Sequence, residues 1–187
     1  MKLLFKGTWK KERDLVDEGV VLDYFKALAH HLVRSNHVLV LSSTRRHHML
    51  LAEEVSKAAA LSGRDVKEIL TFMLPDRESK IPQMGRVQRY SGAQWKIGDR
   101  TYLVQQTDAV IAIGGGKGTS DSIQKAFLAR KPVFAACAVS SVISDAWRRR
   151  PDGAEYHYVE KGDADFVEDV NTTPDVFFDA GRRETWL

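Results

Sequence analysis

A three-layer α/β sandwich with a mainly parallel sheet is the fold class that this 187-residue chain predicts, and three observations carry it. Short apolar runs of strand length alternate with longer stretches of helical period along most of the chain. One run, Ala109-Val-Ile-Ala-Ile113, is apolar throughout, as a strand covered by helices on both faces must be. Glycines follow it at once, at the carboxyl end of the strand, where open parallel sheets form their ligand crevices. The expectation is one Rossmann-like domain over residues 1–187.

Residues 2–5 read as the opening strand, which leaves through Gly7, Thr8 and Trp9. A helix is expected over about residues 14–34, its buried stripe made by Leu15, Leu22, Phe25, Leu28, Ala29, Leu32 and Val33, with Gly19 weakening the first turns. Residues 37–41 form the second strand. Its exit, Ser42-Ser-Thr-Arg-Arg-His-His48, opens a helix to about Leu61 with Met49, Ala52, Val55 and Ala59 inward and Gly63 closing it. The third strand, residues 68–74, stops at Pro75. Residues 76–95 show no period and read as a long loop, either a lid whose Arg77, Arg86 and Arg89 close over an anion or a solvated excursion holding a short irregular helix.

A helix over about residues 97–106 then leads into the apolar strand at 109–113. Lys131-Pro132 ends the next helix, and residues 133–137 make a fifth strand leaving through Ser140 and Ser141. Arg148, Arg149 and Arg150 read as a solvated helix end before Pro151-Asp-Gly153. Beyond them, residues 156–159 suit an outer strand, and acidic residues 163–169 with Phe177, Phe178 and Trp186 suit closing helices or partner contacts.

Composition sets limits on function. With 43% hydrophobic and 28% charged residues the chain can bury a sizeable core. A net charge of +3 and a pI near 9.0 permit nucleic acid without indicating it. The single cysteine, Cys137, has no internal disulfide partner, and no Cys/His spacing suits zinc, so no metal is expected and a reducing, cytoplasmic location is. No apolar run has membrane-spanning length.

The glycine cluster carries the functional expectation. Gly114, Gly115, Gly116 and Gly118 take side chains away where the chain turns, and Thr119, Ser120 and Asp121 are good helix caps ahead of Ile123, Ala126 and Phe127. Strand, glycine turn and helix together direct amide N–H groups and the positive end of a helix dipole at one spot, which suits phosphate. Lys117 is followed by Gly118 rather than by Ser or Thr, so the turn is no Walker loop, and the dinucleotide pattern Gly-x-Gly-x-x-Gly is not met either.

The wording Thr107-Asp-Ala-Val-Ile-Ala-Ile-Gly-Gly-Gly-Lys-Gly-Thr119 resembles the Gly-Gly-x-Gly-Thr signature of the SLOG superfamily. That group includes the LOG phosphoribohydrolases, DprA/Smf proteins, molybdenum-cofactor carriers and nucleotide-sensing domains of antiphage systems. The resemblance covers roughly the first 140 residues in element order, with close wording confined to residues 107–119. It implies a nucleotide-type ligand whose phosphate sits on Gly114, Gly115, Gly116, Lys117, Gly118 and Thr119, with Arg100 on or beside the positions where LOG enzymes place nucleotide-facing cations. Gly7 and Thr8 at the first strand's exit belong to the same rim. Where related families often have a glycine-rich second turn, this chain has Ser42, Ser43, Thr44, Arg45 and Arg46. Hydroxyls and guanidinium groups can hold phosphate oxygens, and the same arginines can equally point into water. His47 and His48 are expected in surface or packing roles.

LOG enzymes read Pro-Gly-Gly-x-Gly-Thr-x-x-Glu, and here Gly114 stands for the proline and Ser122 for the catalytic glutamate. A serine cannot stabilise an oxocarbenium-like centre by charge. Asp121, one residue earlier, is rotated by about 100° on a helix and is expected to point elsewhere. The expectation is therefore a binding protein that senses or carries a nucleotide-derived signal of the ADP-ribose type, as in antiphage defence. The alternatives are a nucleoside-monophosphate phosphoribohydrolase using Asp121, Glu53 or Glu54, and a molybdenum-cofactor carrier. DNA loading of the DprA kind is the least expected. Homodimers or tetramers are what SLOG relatives commonly form.

Overall fold

The computed structural model describes residues 1–91, 98–136 and 139–149. Cys137, Arg150, the Pro151-Asp-Gly153 turn, the strand at 156–159, the acidic stretch at 163–169 and Phe177, Phe178 and Trp186 lie outside the described residues. Within them the chain is a Rossmann-like three-layer α/β sandwich. Strand β1 (Lys2–Lys6) is followed by helix α1 (Glu18–Arg34), β2 (Val38–Leu41), α2 (Arg46–Leu61), a single turn α3 (Val66–Ile69) and β3 (Leu70–Pro75). Then come β4 (Arg86–Tyr90), α4 (Asp99–Gln105), β5 (Ala109–Ile113), α5 (Lys117–Leu128), β6 (Val133–Ala136) and α6 (Ser141–Arg148). All six strands run parallel in the order β4-β3-β2-β1-β5-β6.

The two-residue period of the strands sorts the core into two layers. Leu3, Phe5, Leu39, Leu41, Phe72, Ile111 and Ile113 pack on one face against Val21, Phe25, Leu28 and Leu32 of α1 and Leu51, Ala52 and Val55 of α2. Leu4, Val40, Met73, Val110 and Ala112 face the other way, onto Leu103 and Val104 of α4, Ile123 and Phe127 of α5, and Ile143 of α6. Every residue of β5 is buried, as its unbroken apolar run requires. Fully burying one such large side chain contributes about 1.5–3 kcal/mol, so both layers are strongly favoured.

Three expectations change. Helix α1 begins at Glu18 rather than near residue 14, because residues 7–17 form a loop held on the glycine turn, and Leu15 is left exposed. The third strand begins at Leu70, since Asp65 caps the Val66–Ile69 turn by accepting from the Lys67 N–H at 2.9 Å. The stretch read as a loop over 76–95 contains β4, paired in parallel with β3 from Thr71↔Arg86 to Pro75↔Tyr90. Among the described residues no helix is long and apolar enough to cross a membrane.

Candidate functional site

Strands β2, β3 and β4 extend from one side of β1 and β5 and β6 from the other, so the order reverses between β1 and β5. Helices starting from adjoining strands diverge at such a point and leave a gap at the carboxyl ends. A crevice of about 870 Å³ lies there, walled by the exits of β1, β2 and β5, by Pro75, Tyr90 and by the start of α4. Its size is towards the upper end of the ~300–1,000 Å³ usual for small-molecule sites.

The loops at this rim are stitched together. The Arg13 guanidinium donates to the Thr8 carbonyl at 2.7 Å and pairs with Asp14 at 2.5 Å. The Asp14 carboxylate, fully buried, also accepts from the Lys10 N–H at 2.7 Å. Leu15 N–H donates to the Val139 carbonyl, and Ser140 Oγ donates to the Gly115 carbonyl at 3.2 Å. Gly7 lies so close to β5 that an added Cβ would sit 2.1 Å from the Ile113 carbonyl oxygen. At Gly115, φ is +121° and a Cβ would fall 2.1 Å from Thr119 Oγ1, so no other residue fits that bend.

This packing divides the glycine cluster. Gly116, Gly118 and Thr119 stand on the crevice wall, together with Gly7, Thr8, Ser43, Arg45 and Arg100. Gly114, Gly115, Lys117 and Thr44 are not on that wall. Gly114 packs on the Thr8 carbonyl and Gly115 on Thr119, so their missing side chains serve close packing of loops rather than approach of a ligand. Helix α5 starts earlier than its hydroxyl residues suggest. Gly116 is the N-cap and offers no side-chain cap, while Thr119 and Ser120 N–H groups return to the Gly116 carbonyl. The amides of Lys117 and Gly118 lie in the first turn, ahead of any intrahelical acceptor.

Among the described residues cations outnumber anions on the wall: Lys6, Lys10, Arg13, Arg45, Arg77, Arg100 and Lys125 face Glu78, Asp99 and Asp121. Arg77 pairs with Asp99 at 2.5 Å, and Arg100 with Asp121 at 3.0 Å. A hypothetical Cβ on Gly118 would lie 3.1 Å from Arg100 Nη2, which puts that guanidinium over the opening turn of α5.

Lys6 was not anticipated from sequence, where it falls just past the opening strand; in the structure it is that strand's last residue. It is half-buried in the crevice, and its Nζ donates to Ser42 Oγ at 2.7 Å. Burial, and then the charge of Arg100, pull its pKa from 10.5 down to about 8, against a smaller upward pull from Asp99. A folded pKa below the unfolded one means that the fold penalises the ammonium. The penalty is complete below pH 8 and is relieved as pH rises from 8 to 10.5. Lys6→Met is accordingly expected to gain about 1–3 kcal/mol of stability at pH 7, as its unfolding in urea would show, with little or no gain at pH 10.5.

The two histidines are structural, yet border the crevice. His47 Nδ1 lies 3.2 Å from Thr8 Oγ1 and its Nε2 lies 2.8 Å from Glu18, whose carboxylate also takes both guanidinium nitrogens of Arg46. Bonding to Arg46 first, and to His47, holds Glu18 below the usual carboxylate pKa. Arg46 is thereby committed away from any ligand. His48 stands edge-on to Phe5 with ring centres 5.2 Å apart, and burial drives its pKa down to about 3, so it is neutral. Its Nδ1 is buried with no hydrogen-bond partner among the described residues.

The catalytic candidates separate clearly. Glu53 and Glu54 lie on α2 away from the crevice wall, Glu54 paired with Lys57 at 2.6 Å. Ser122 turns back on its own helix, donating to the Gly118 carbonyl at 3.0 Å, and is fully buried. Asp121, expected to point away, instead lines the crevice, where its carboxylate accepts from Arg100 at 3.0 Å. Among the described residues no group of three or more His, Cys, Asp or Glu side chains is placed to hold a metal ion.

The class defined by this fold and rim is an α/β protein with a cation-rich crevice at its sheet's switch point. No protein-family model matches the chain, and no curated protein matches it. Among solved structures, the X-ray structure of TM1055, a Northeast Structural Genomics Consortium target, matches with a TM-score of 0.50. The two are 24% identical over 71% of each chain, a likeness that concerns the fold alone.

Proposed function

We propose that this chain binds a small phosphorylated, nucleotide-derived ligand, with a phosphate seated on the opening turn of α5 at Gly116, Gly118 and Thr119 and faced by Arg100. The observation that supports it is a helix start without a side-chain cap, opening beside Arg100 into a crevice where cations exceed carboxylates. Such a site binds and releases, which suits a sensor or carrier. The resemblance of residues 107–119 to SLOG proteins makes an ADP-ribose-type signal, as in antiphage defence, the specific form of this reading. Calorimetric titration with AMP, ADP-ribose and cyclic ADP-ribose is expected to give saturable heat with at least one of them. Arg100→Ala should weaken that binding by about tenfold, the value of one charge-assisted bond. Absence of heat with all three would remove the proposal.

The position of Asp121 favours one second reading, N-glycoside hydrolysis. Its carboxylate would face the ribose C1′ as the bond to the base breaks, water would add at that carbon, and the base would leave with a proton. Release of adenine from AMP, abolished by Asp121→Asn, would replace the binding reading with this one.

A further inference from the structure

We infer that the crevice holds a second anion subsite, built by Lys6, Ser42 and Arg45 beneath the start of α2, and that the ligand carries two separated phosphates. This rests on the reading that the first phosphate sits at α5 and departs from its ADP-ribose form, in which the two phosphates are contiguous. Two of the helices that open onto the crevice follow β2 and β5, the strands on either side of β1. Neighbouring strands lie about 4.8 Å apart, so the two helix starts are roughly 10 Å from each other. That spacing fits phosphates at opposite ends of a nucleoside or sugar and exceeds the reach of one contiguous diphosphate.

Several independent features mark the α2 side as built for an anion. Lys6 is an ammonium sunk beside Arg100, and its hydrogen-bond partner is a neutral hydroxyl. Such an arrangement disfavours its own charge until an anion arrives. The β1–β2 register, Lys2↔Val38 to Leu4↔Val40, continues to bring Lys6 beside Ser42, so the pairing is fixed by the sheet and not by a mobile side chain. Arg45 is the N-cap of α2, its backbone N–H turned to Ser43 Oγ at 3.4 Å and its side chain exposed on the crevice wall. The first turn of α2 contains no acidic residue of its own, and the Glu18 carboxylate that meets it is taken up by Arg46 and His47. Finally, His48 in that same turn is only 7% exposed, lines the crevice and has an unpartnered Nδ1.

The test compares AMP, ADP and adenosine 3′,5′-bisphosphate by calorimetry on the full chain at pH 7. The bisphosphate is expected to bind at least about tenfold more tightly than AMP, and ADP to resemble AMP. In Lys6→Met that advantage should shrink to below about threefold, and Arg45→Ala, on an exposed side chain that leaves the fold intact, should reduce it in the same direction. A bisphosphate no tighter than AMP, or one whose advantage survives both substitutions, overturns this inference while leaving the α5 site standing. Failure of every probe to bind overturns both.

Discussion

A Gly7→Ala chain is expected to be about 3 kcal/mol less stable than its parent, at the upper end of what overpacking costs. The new Cβ would lie 2.1 Å from the Ile113 carbonyl oxygen and 2.7 Å from Phe5 Cζ. Neither neighbour can retreat. Ile113 closes a strand buried along its whole length, and the Phe5 ring is wedged between Phe25, with ring centres 5.5 Å apart, and His48. Separating β1 from β5 here would also widen the rim that Gly7 and Thr8 share with Gly116 and Thr119. The control is Gly19→Ala, in the first turn of α1 with nothing within 4 Å of the added atom. That change should stabilise by up to about 1 kcal/mol through helix propensity alone. Urea unfolding of both chains decides the matter, and equal midpoints would contradict the close approach of the two strands.

Gly118→Asp should abolish ligand binding without harming the fold. The three atoms nearest an added Cβ at this position all belong to the Arg100 side chain, the closest at 3.1 Å, and a flexible guanidinium can give way. An aspartate in the first turn of α5 faces the positive end of the helix and should add about 0.3–1 kcal/mol of stability. Its carboxylate, however, would take the place of a phosphate and engage Arg100 permanently. Affinity for AMP is expected to fall by about a hundredfold or more, since the site loses its cation and amide donors together. A melting temperature equal to or above the parent's, with binding lost, is the signature. Undiminished binding would show that the phosphate lies elsewhere.

What could be seen beforehand depended on whether burial left a mark in the side chains. Strand β5 was evident because covering both faces demanded five apolar residues in succession, and α2 because Ala52, Val55 and Ala59 recur at helical spacing and Gly63, at φ +68°, stops it. Strand β4 left no such mark. Arg86, Val87 and Gln88 are exposed and only Tyr90 is buried, so its identity comes from backbone pairing with β3, which sequence does not display. At the site, Gly118 and Thr119 were singled out by the motif and Arg100 by the family resemblance, and all three stand on the crevice wall. Lys6 was not singled out, because its meaning depends on a register that sets it beside Ser42, 36 residues away. Asp121 was read as turned away because the motif puts its catalytic position at Ser122, one step on along the helix; the fold buries Ser122 and leaves Asp121 on the crevice wall.

Among the described residues, the outermost strand on the β3 side has a consequence for the protein at high concentration. β4 presents exposed Arg86 and Gln88, while the Arg89 guanidinium clasps the Pro75 and Glu78 carbonyls at 2.9 and 2.6 Å. A second molecule adding its own β4 there would bring like charges together and strip water from them, so this border resists fibrillar stacking. Concentrated stocks should therefore scatter little light at low salt, and exchanging Arg86 for valine would remove part of that protection.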